Sequence, residues 1–338
     1  MEGGRSIQWG AVPRWRRPLF RALLRVLPEV EPARVWERLD VEAPLEGELG
    51  LEARLTERLA PWRGAMAWGM CAFFLGGVGL VWGVGPWAMR WAEAEAQARW
   101  GLGWTAWSVP LAMGALVHGL FILMVHEATH KNVFQGRRDR WLGNACLGAL
   151  LLPFLAESYQ HTHYVHHRWA NTSRDNNWTP TRHKLFRKAR WLYALYELIP
   201  VVNNVDRLAD RVKRQRAQVL WAWAVALAVV WGLEPGFGYW LAVLLGLNAV
   251  NAQRLWIEHF GVWQGRASNV YACPLSFGIG NHALHHERPK LPALVLMLGL
   301  WFRRKDATIY GALWRLLFDP RWSHFRTQQH DFDEAEMQ

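Results

Sequence analysis

The chain has 338 residues, of which 51% are hydrophobic, and it carries 39 Lys and Arg against 28 Asp and Glu, a formal charge of +11. Apolar runs separated by basic segments are typical of a membrane protein, so the positive charge favours an anionic lipid surface over nucleic acid as the partner. The three cysteines are scattered without a CxxC pair, which argues against a disulfide framework and against a zinc knuckle.

Residues 1–63 are basic, with eleven arginines and no uninterrupted apolar core of the kind found in a signal peptide. We therefore expect this region to stay on the cytoplasmic side of a membrane. Within it, residues 18–27 (PLFRALLRVL) place their leucines and phenylalanine on one helical face and their arginines elsewhere. This pattern predicts either a basic helix lying in the membrane interface or a short helix packed on the body of the protein.

Four apolar stretches predict transmembrane helices. The first has 26 uncharged residues, which at about 1.5 Å per residue exceeds a hydrocarbon core of about 30 Å. Two further apolar segments, 141–156 and 293–302, are too short for easy spanning and are expected to lie at the membrane surface or to re-enter the membrane. The four predicted spans are residues 64–89, 101–125, 219–233 and 237–257.

Lys and Arg predict the orientation, because cytoplasmic loops are rich in both. The connection at residues 90–100 holds only Arg90 and Arg99, and the turn after residue 233 holds neither type, whereas the remaining segments are crowded with both. We therefore expect a multi-pass protein of a bacterial inner membrane, with both termini and residues 126–217 in the cytoplasm. Six tryptophans around the first external loop are expected at the headgroup boundary, namely Trp82, Trp87, Trp91, Trp100, Trp104 and Trp107.

Eight histidines form three clusters, all on the predicted cytoplasmic side. In HEATH the two histidines are four residues apart, so both imidazoles project from one side of a helix. The other two clusters share the pattern HxxHH, in which positions three and four apart share a helical face while the middle pair straddles two directions. Such a unit can serve two metal ions. The clusters are His126 and His130; His163, His166 and His167; and His282, His285 and His286.

HEATH also matches the HExxH motif of zinc peptidases, in which two histidines hold zinc and the glutamate is the base. The six further clustered histidines are more imidazole than one zinc ion with an open position can use. A multi-metal oxidation site is therefore favoured, although imidazole suits iron, copper, zinc and nickel alike. An intramembrane zinc protease and a non-enzymatic metal-binding membrane protein stay as alternatives. The remaining histidines of interest are interpreted as non-ligands: His118, His161, His183, His324 and His330.

Three segments resemble, in this order, the histidine boxes of the membrane-bound fatty acid desaturase-like superfamily, which includes hydroxylases and carotenoid-modifying oxygenases. The segments are HEATHKN at 126–132, YQHTHYVHHRWAN at 159–171 and NHALHHERPKLP at 281–292. The resemblance covers roughly residues 64–300. It implies an all-α integral membrane fold with four transmembrane helices and a helical cytoplasmic cap that holds two irons. The expected regions are a cytoplasmic one at 1–63, the catalytic domain at 64–302 and a cytoplasmic helix and tail at 303–338.

By resemblance, the metal ligands are the eight clustered histidines and a ninth, His259, which follows the last membrane helix in WIEHFG. The chain departs from the family pattern at Leu255, where some relatives carry an asparagine, and after the second box, where Asn176 and Asn177 replace Pro-Asp. Three carboxylates are expected either to orient a liganding imidazole through its other nitrogen or to be solvated surface groups, namely Glu127, Asp175 and Glu258.

The implied activity is an oxidation of lipid acyl chains in the membrane, with two iron ions as cofactor and dioxygen as co-substrate. The HxxxH, HxxHH, HxxHH spacing favours a fatty acyl desaturase, and a lipid, alkane or carotenoid hydroxylase or ketolase is the alternative. His282 stands where front-end desaturases have glutamine, which argues against that type. The sequence shows no cytochrome-type domain, no cluster-ligating cysteines and no GxGxxG fingerprint. We therefore expect a separate electron donor, a ferredoxin, a rubredoxin or a cytochrome with its reductase.

Overall fold

The computed structural model describes residues 46–169, 215–259 and 282–302, and all regular structure in these ranges is helical. This confirms the predicted all-α class for the described part of the chain. The predicted interfacial helix at 18–27 and the C-terminal region at 303–338 lie outside these ranges. The helices are α1 Glu46–Leu59, α2 Arg63–Val78, α3 Gly85–Trp100, α4 Ser108–Leu120, α5 Glu127–Thr129, α6 Arg137–Ala149, α7 Ser158–Trp169, α8 Arg216–Leu233, α9 Phe237–His259, α10 His282–Glu287 and α11 Ala293–Phe302.

The first predicted span belongs to a much longer helix. A π-helical turn, Gly79–Val84, joins α2 to α3, and the helix is continuous over the 48 residues of Ala53–Trp100. The expected short connection at residues 90–100 is therefore helical. Its alanines and glutamates favour helix, and Arg99 pairs with Glu95 one turn earlier at 2.8 Å. The helix ends only at Gly101, whose φ of 65° provides a left-handed cap.

Three described helices are long and apolar enough to cross a membrane: Ala53–Trp100, Gly103–Thr129 and Arg216–Leu233. They correspond to the first three predicted spans. The fourth prediction falls on α9, which has 23 residues and whose described apolar stretch, Phe237–Asn251, is shorter. Five of the six tryptophans near the first external loop are exposed, but Trp82 is fully buried, so its predicted place at the headgroup boundary is wrong.

Glycines allow α4 and α9 to pack backbone against backbone. A Cβ atom added at Gly114 would lie 2.3 Å from the carbonyl oxygen of Val243, and one added at Gly246 would lie 2.2 Å from that of Leu111. No side chain fits at either position without moving a helix. Close approach through small residues is the usual way in which helices associate inside a membrane, where lipid chains compete with apolar side chains.

The short apolar segment after the first histidine box is inserted among the long helices. Its helix α6 packs on α8 so closely that a Cβ at Gly148 would meet the Ala222 carbonyl oxygen at 2.2 Å. At the last residue of α6, the Ala149 carbonyl accepts a hydrogen bond from the buried indole of Trp82 at 3.0 Å. Two residues later, the Leu151 carbonyl accepts one from the Trp240 indole at 3.3 Å. Of the two expected arrangements for this segment, these contacts favour re-entry over a surface location.

Candidate metal centre

The first histidine box begins six residues after the end of α4 at Leu120. A π-helical turn, Phe121–His126, leads directly into α5, and the backbone N–H of His130 bonds to the His126 carbonyl at 3.2 Å. Both imidazoles are buried, with ring centroids 4.8 Å apart. Single π-helical turns are frequent at functional sites because the extra residue re-aims the side chains beyond it.

The second box lies on α7, where its histidines point in two directions. His163 and His167 are one helical turn apart, and their Nε2 atoms lie 3.1 Å from each other. His166 lies instead against His286, with ring centroids 4.9 Å apart. The hydroxyl of Tyr164 donates a hydrogen bond to the Thr129 carbonyl, which fastens α7 to the first box.

The third box forms the short helix α10 and reaches both of the other boxes. His285 places its Nε2 atom 3.0 Å from that of His126 and 3.1 Å from that of His167. His282 and His286, one turn apart on α10, approach each other with Nε2 atoms 3.2 Å apart.

The eight imidazoles therefore form two groups, and within each group the candidate ligand atoms all lie within 4.8 Å of one another. The groups adjoin where the rings of His167 and His286 stack at 4.2 Å with an interplanar angle of 19°. Each HxxHH box contributes to both groups, as its spacing allows. The five-histidine cluster is His126, His130, His163, His167 and His285, and the three-histidine cluster is His166, His282 and His286.

Burial favours the neutral form of four histidines in the five-histidine cluster, namely His130, His163, His167 and His285. Desolvation, followed by the charge of Lys290, lowers the pKa of His130 to about 3, and desolvation followed by nearby histidines lowers the pKa of His167 to about 2. The pKa values of His163 and His285 are also lowered well below the ordinary value, mainly by desolvation. Neutral imidazoles keep a nitrogen lone pair, which is the form that binds a metal ion.

Glu127 connects the first box to the chain beyond the third. It is buried, with Oε1 3.2 Å from His126 Nδ1, and its Oε2 accepts a hydrogen bond from the Ala293 backbone N–H at 2.8 Å. Asn132, which sequence reasoning did not single out, places its Nδ2 atom 3.2 Å from Glu127 Oε2 and donates to the Pro289 carbonyl at 3.0 Å. The only sequence signal for Asn132 was its place at the end of HEATHKN.

A second buried network holds the start of α7, and no sequence motif indicated it. The buried carboxylate of Glu157 accepts hydrogen bonds from the Arg140 guanidinium and, at 2.9 Å, from Asn144. The amide of Asn144 also donates to Gln218 at 2.6 Å. Glu157 has a φ of 64°, a left-handed conformation that is rare for residues other than glycine. The network thus links α6, α7 and α8 immediately before the second box.

Of the histidines interpreted as non-ligands, two lie in the described part of the chain, and the remaining predictions about the site fall outside it. His161 is exposed and His118 is buried two turns before His126, and neither belongs to either cluster. Asp175, Asn176, Asn177 and His183 lie outside the described residues, as do His324 and His330. The side chains of Leu255, Glu258 and His259 are likewise outside the described part, although α9 ends at His259.

The donor set fits metal ions that prefer nitrogen. Two adjoining groups of buried and partly buried imidazoles, with Nε2 atoms converging at about 3 Å, offer more ligands than one ion can use and no thiolate. Their closest contacts join one ring nitrogen to another, as between His126 and His285 or between His282 and His286. A ring nitrogen carries either one N–H or one lone pair and so makes one hydrogen bond, but Nε2 of His285 and Nε2 of His163 each face two other Nε2 atoms. The arrangement is therefore poor as a hydrogen-bond network and suitable for two ions.

The comparisons with known proteins agree with this arrangement. The family model for fatty acid desaturases matches residues 102–314, more than half of the chain. The sphingolipid delta(4)-desaturase/C4-monooxygenase DES2 of Mus musculus is 26% identical over 224 residues, covering 62% of this chain and 67% of that protein. The human DES2 is 28% identical over 218 residues, covering 59% and 65%. The sphingolipid delta(4)-desaturase DES1 of Gallus gallus is 28% identical over 206 residues, covering 55% and 62%.

No solved structure matches the chain significantly. The chain spans about two thirds of the length of the mouse relative and slightly less of the human and chicken ones. The family match contains all three histidine boxes and confirms the family that those boxes predicted. The chain belongs to the fatty acid desaturase family of oxidoreductases.

Proposed function

We propose that the protein introduces a double bond into the acyl chain of a membrane lipid, with two iron ions held by its histidine boxes. A desaturase acting on lipid follows from the family and its sphingolipid-desaturating relatives. The observation that carries the proposed cofactor is the division of eight imidazoles, six of them buried and two partly buried, into two adjoining groups.

Each cluster would hold one ion. The five-histidine cluster provides enough nitrogen ligands for an iron on its own, and the three-histidine cluster needs at least one more. We propose His259 as this additional ligand, because it is the last residue of the largely apolar helix α9. Asp175 and Glu258 are proposed to orient ligands through their second ring nitrogen, as Glu127 is placed to do for His126.

When bound, the two irons would supply the redox chemistry by which dioxygen removes hydrogen from an unactivated methylene, a reaction that zinc cannot support. The chain's own residues have other tasks. Glu127 holds the ring proton of His126 at Nδ1, which leaves Nε2 with a lone pair facing the cluster. Buried apolar neighbours such as Val125 and Leu284 keep water away from the imidazoles.

The location of the clusters suits a lipid substrate. Four membrane helices and a cytoplasmic cap are proposed, with both termini on the cytoplasmic side, so that the acyl chain enters from the bilayer. Electrons then arrive from the cytoplasm through a separate donor protein, a ferredoxin, a rubredoxin or a cytochrome. The first histidine box supports this arrangement because it lies at the end of an apolar helix, Gly103–Thr129.

Hydroxylation is the second candidate. The mouse and human relatives carry names that combine delta(4)-desaturase with C4-monooxygenase activity. Both reactions begin by removing a hydrogen from the same chain and differ in the fate of the resulting radical. We therefore propose a long-chain amide lipid of the sphingolipid type as the first substrate to test, with the unsaturated product expected and the hydroxylated one as the alternative.

The test is lipid analysis of cells that express the chain together with a ferredoxin and its reductase. We expect unsaturated lipid and about two irons per purified chain. His166→Ala should abolish the product, whereas His161→Ala, an exposed histidine on the same helix, should not. One zinc per chain with proteolytic activity would overturn the proposal, and unchanged product in the His166 variant would exclude the proposed site.

A further inference from the structure

A redox enzyme of the proposed kind needs a surface where its electron donor can approach the buried clusters, so the inference about that surface rests on the proposed function. Four exposed basic side chains follow the clustered histidines of the three boxes by one to four residues in the described structure. We call them the basic rim: Lys131, Arg168, Arg288 and Lys290.

Several contacts bring the basic rim together from three parts of the chain. Asn132 donates to the carbonyl of Pro289 at 3.0 Å and lies 3.3 Å from that of Leu291, so Lys131 and Lys290 belong to neighbouring segments. Tyr164 bonds to the carbonyl of Thr129, two residues before Lys131. Arg168 follows Tyr164 by four residues on α7 and shares its helical face.

Tyr164 connects this surface to the candidate ligands. Its side chain is 42% exposed, and its ring stands edge-on to that of His130 with centroids 6.1 Å apart. His130 in turn places its Nε2 atom 2.8 Å from that of His163. One aromatic ring therefore spans the distance between solvent and the five-histidine cluster, which makes the centre of the basic rim a short route for electrons.

Metal binding does not explain the positive charge of the basic rim. Lys290 lies between two residues whose carbonyls contact Asn132 of the first box, and a cation beside a metal site opposes the binding of a positive ion. The positive-inside rule explains basic residues near a membrane in general, but it does not require them next to the ligands. Within the described residues of these three segments, 126–136, 158–169 and 282–292, Glu287 is the one exposed acid against four exposed cations. A negatively charged partner offsets this repulsion.

We propose that the basic rim around Tyr164 is the docking surface for an acidic, one-electron carrier protein. In each turnover two reduced carriers are each oxidised by one electron. These two electrons, two protons and the two hydrogens taken from the substrate reduce dioxygen to two waters, and the lipid gains its double bond. Opposite charges across such a surface mainly accelerate association and make it sensitive to salt.

The experiment compares two ways of reducing the purified, iron-loaded protein in lipid nanodiscs. One uses an acidic plant-type [2Fe–2S] ferredoxin with its reductase, and the other uses dithionite with a small viologen mediator. The test variant is the double substitution Lys131→Glu with Lys290→Glu. The matched control, Arg54→Glu with Arg58→Glu, makes the same charge change at exposed positions on α1.

We expect the test variant to raise the KM for ferredoxin by about tenfold or more and to weaken its salt dependence, with iron content and dithionite-driven turnover retained. The control should behave as the unmodified protein does. If the test variant loses iron, the second pair, Arg168→Glu with Arg288→Glu, replaces it. An unchanged KM for ferredoxin overturns the inference, and a raised KM for the lipid alone assigns the surface to lipid headgroups instead. Absence of product with dithionite refutes the proposed function itself.

Discussion

The carboxylate of Glu127 accepts a hydrogen bond at 2.8 Å from the backbone N–H of Ala293, a residue 166 positions further along the chain. The same carboxylate lies 3.2 Å from Nδ1 of His126. One buried side chain thus holds the first box against the segment beyond the third, and it lies where it can accept a hydrogen bond from Nδ1 of His126.

Glu127→Gln should weaken metal binding without unfolding the protein. The amide keeps one acceptor for the Ala293 N–H but presents an NH2 group to His126, which favours the tautomer with its proton on Nε2. Loss of such an orienting partner typically costs 10–100-fold in metal affinity. Iron titration by absorption and Mössbauer spectroscopy measures the change. The control is Glu287→Gln at an exposed position within the third box, and equal iron affinity in both variants would contradict the assigned role of Glu127.

The two clusters should lose their metal separately. His282→Ala removes one of the three candidate ligands of the smaller cluster and leaves the five-histidine cluster complete. We expect about one iron per chain and no oxidised lipid, because the chemistry needs both ions. His118→Ala, at a buried position outside both clusters, should keep the full iron content. Loss of all iron from the His282 variant would mean that the two clusters bind iron only together.

The network around Glu157 should contribute to stability as well as to the position of α7. Glu157→Ala leaves Asn144 and the half-buried Arg140 without their carboxylate, a loss of about 1–3 kcal/mol. Thermal unfolding in detergent should show a lower Tm. Combining Glu157→Ala with Arg140→Met removes both partners, and we expect a smaller loss than the sum of the two single variants. Additive losses would indicate that the ion pair is energetically unimportant.

The contact between α4 and α9 should tolerate no added side chain. Gly246→Leu would push a side chain into the Leu111 backbone, which lies 2.2 Å from the position of a Cβ atom. The added side chain would separate α9 from α4 and remove their packing contacts, so we expect a lower Tm and a lower yield of folded protein. Gly238→Leu on the same helix has open space around it and serves as the control. Similar stability of the two variants would show that the helices do not meet as described.

The convergence of the histidines could be predicted because it depends on spacing along single helices. HxxxH and HxxHH determine which imidazoles share a face, and the structure divides the second and third boxes in that way. The length of the first helix could not be read from hydropathy, since charges at residues 90–100 end a membrane span but not a helix. The roles of Asn132 and Glu157 could not be predicted, because their hydrogen-bond partners lie far away in the sequence or belong to no motif.

The π-helical turn Phe121–His126 ends at the first residue of the first box. Each residue of a helix rotates the next part of the chain by about 100°, so the aim of His126 and His130 depends on how many residues precede them as well as on which residues they are. A related chain could keep every histidine of the three boxes and still lose its five-histidine cluster through one insertion or deletion in this turn. The count of residues between α4 and HEATH is therefore part of the signature of a working centre.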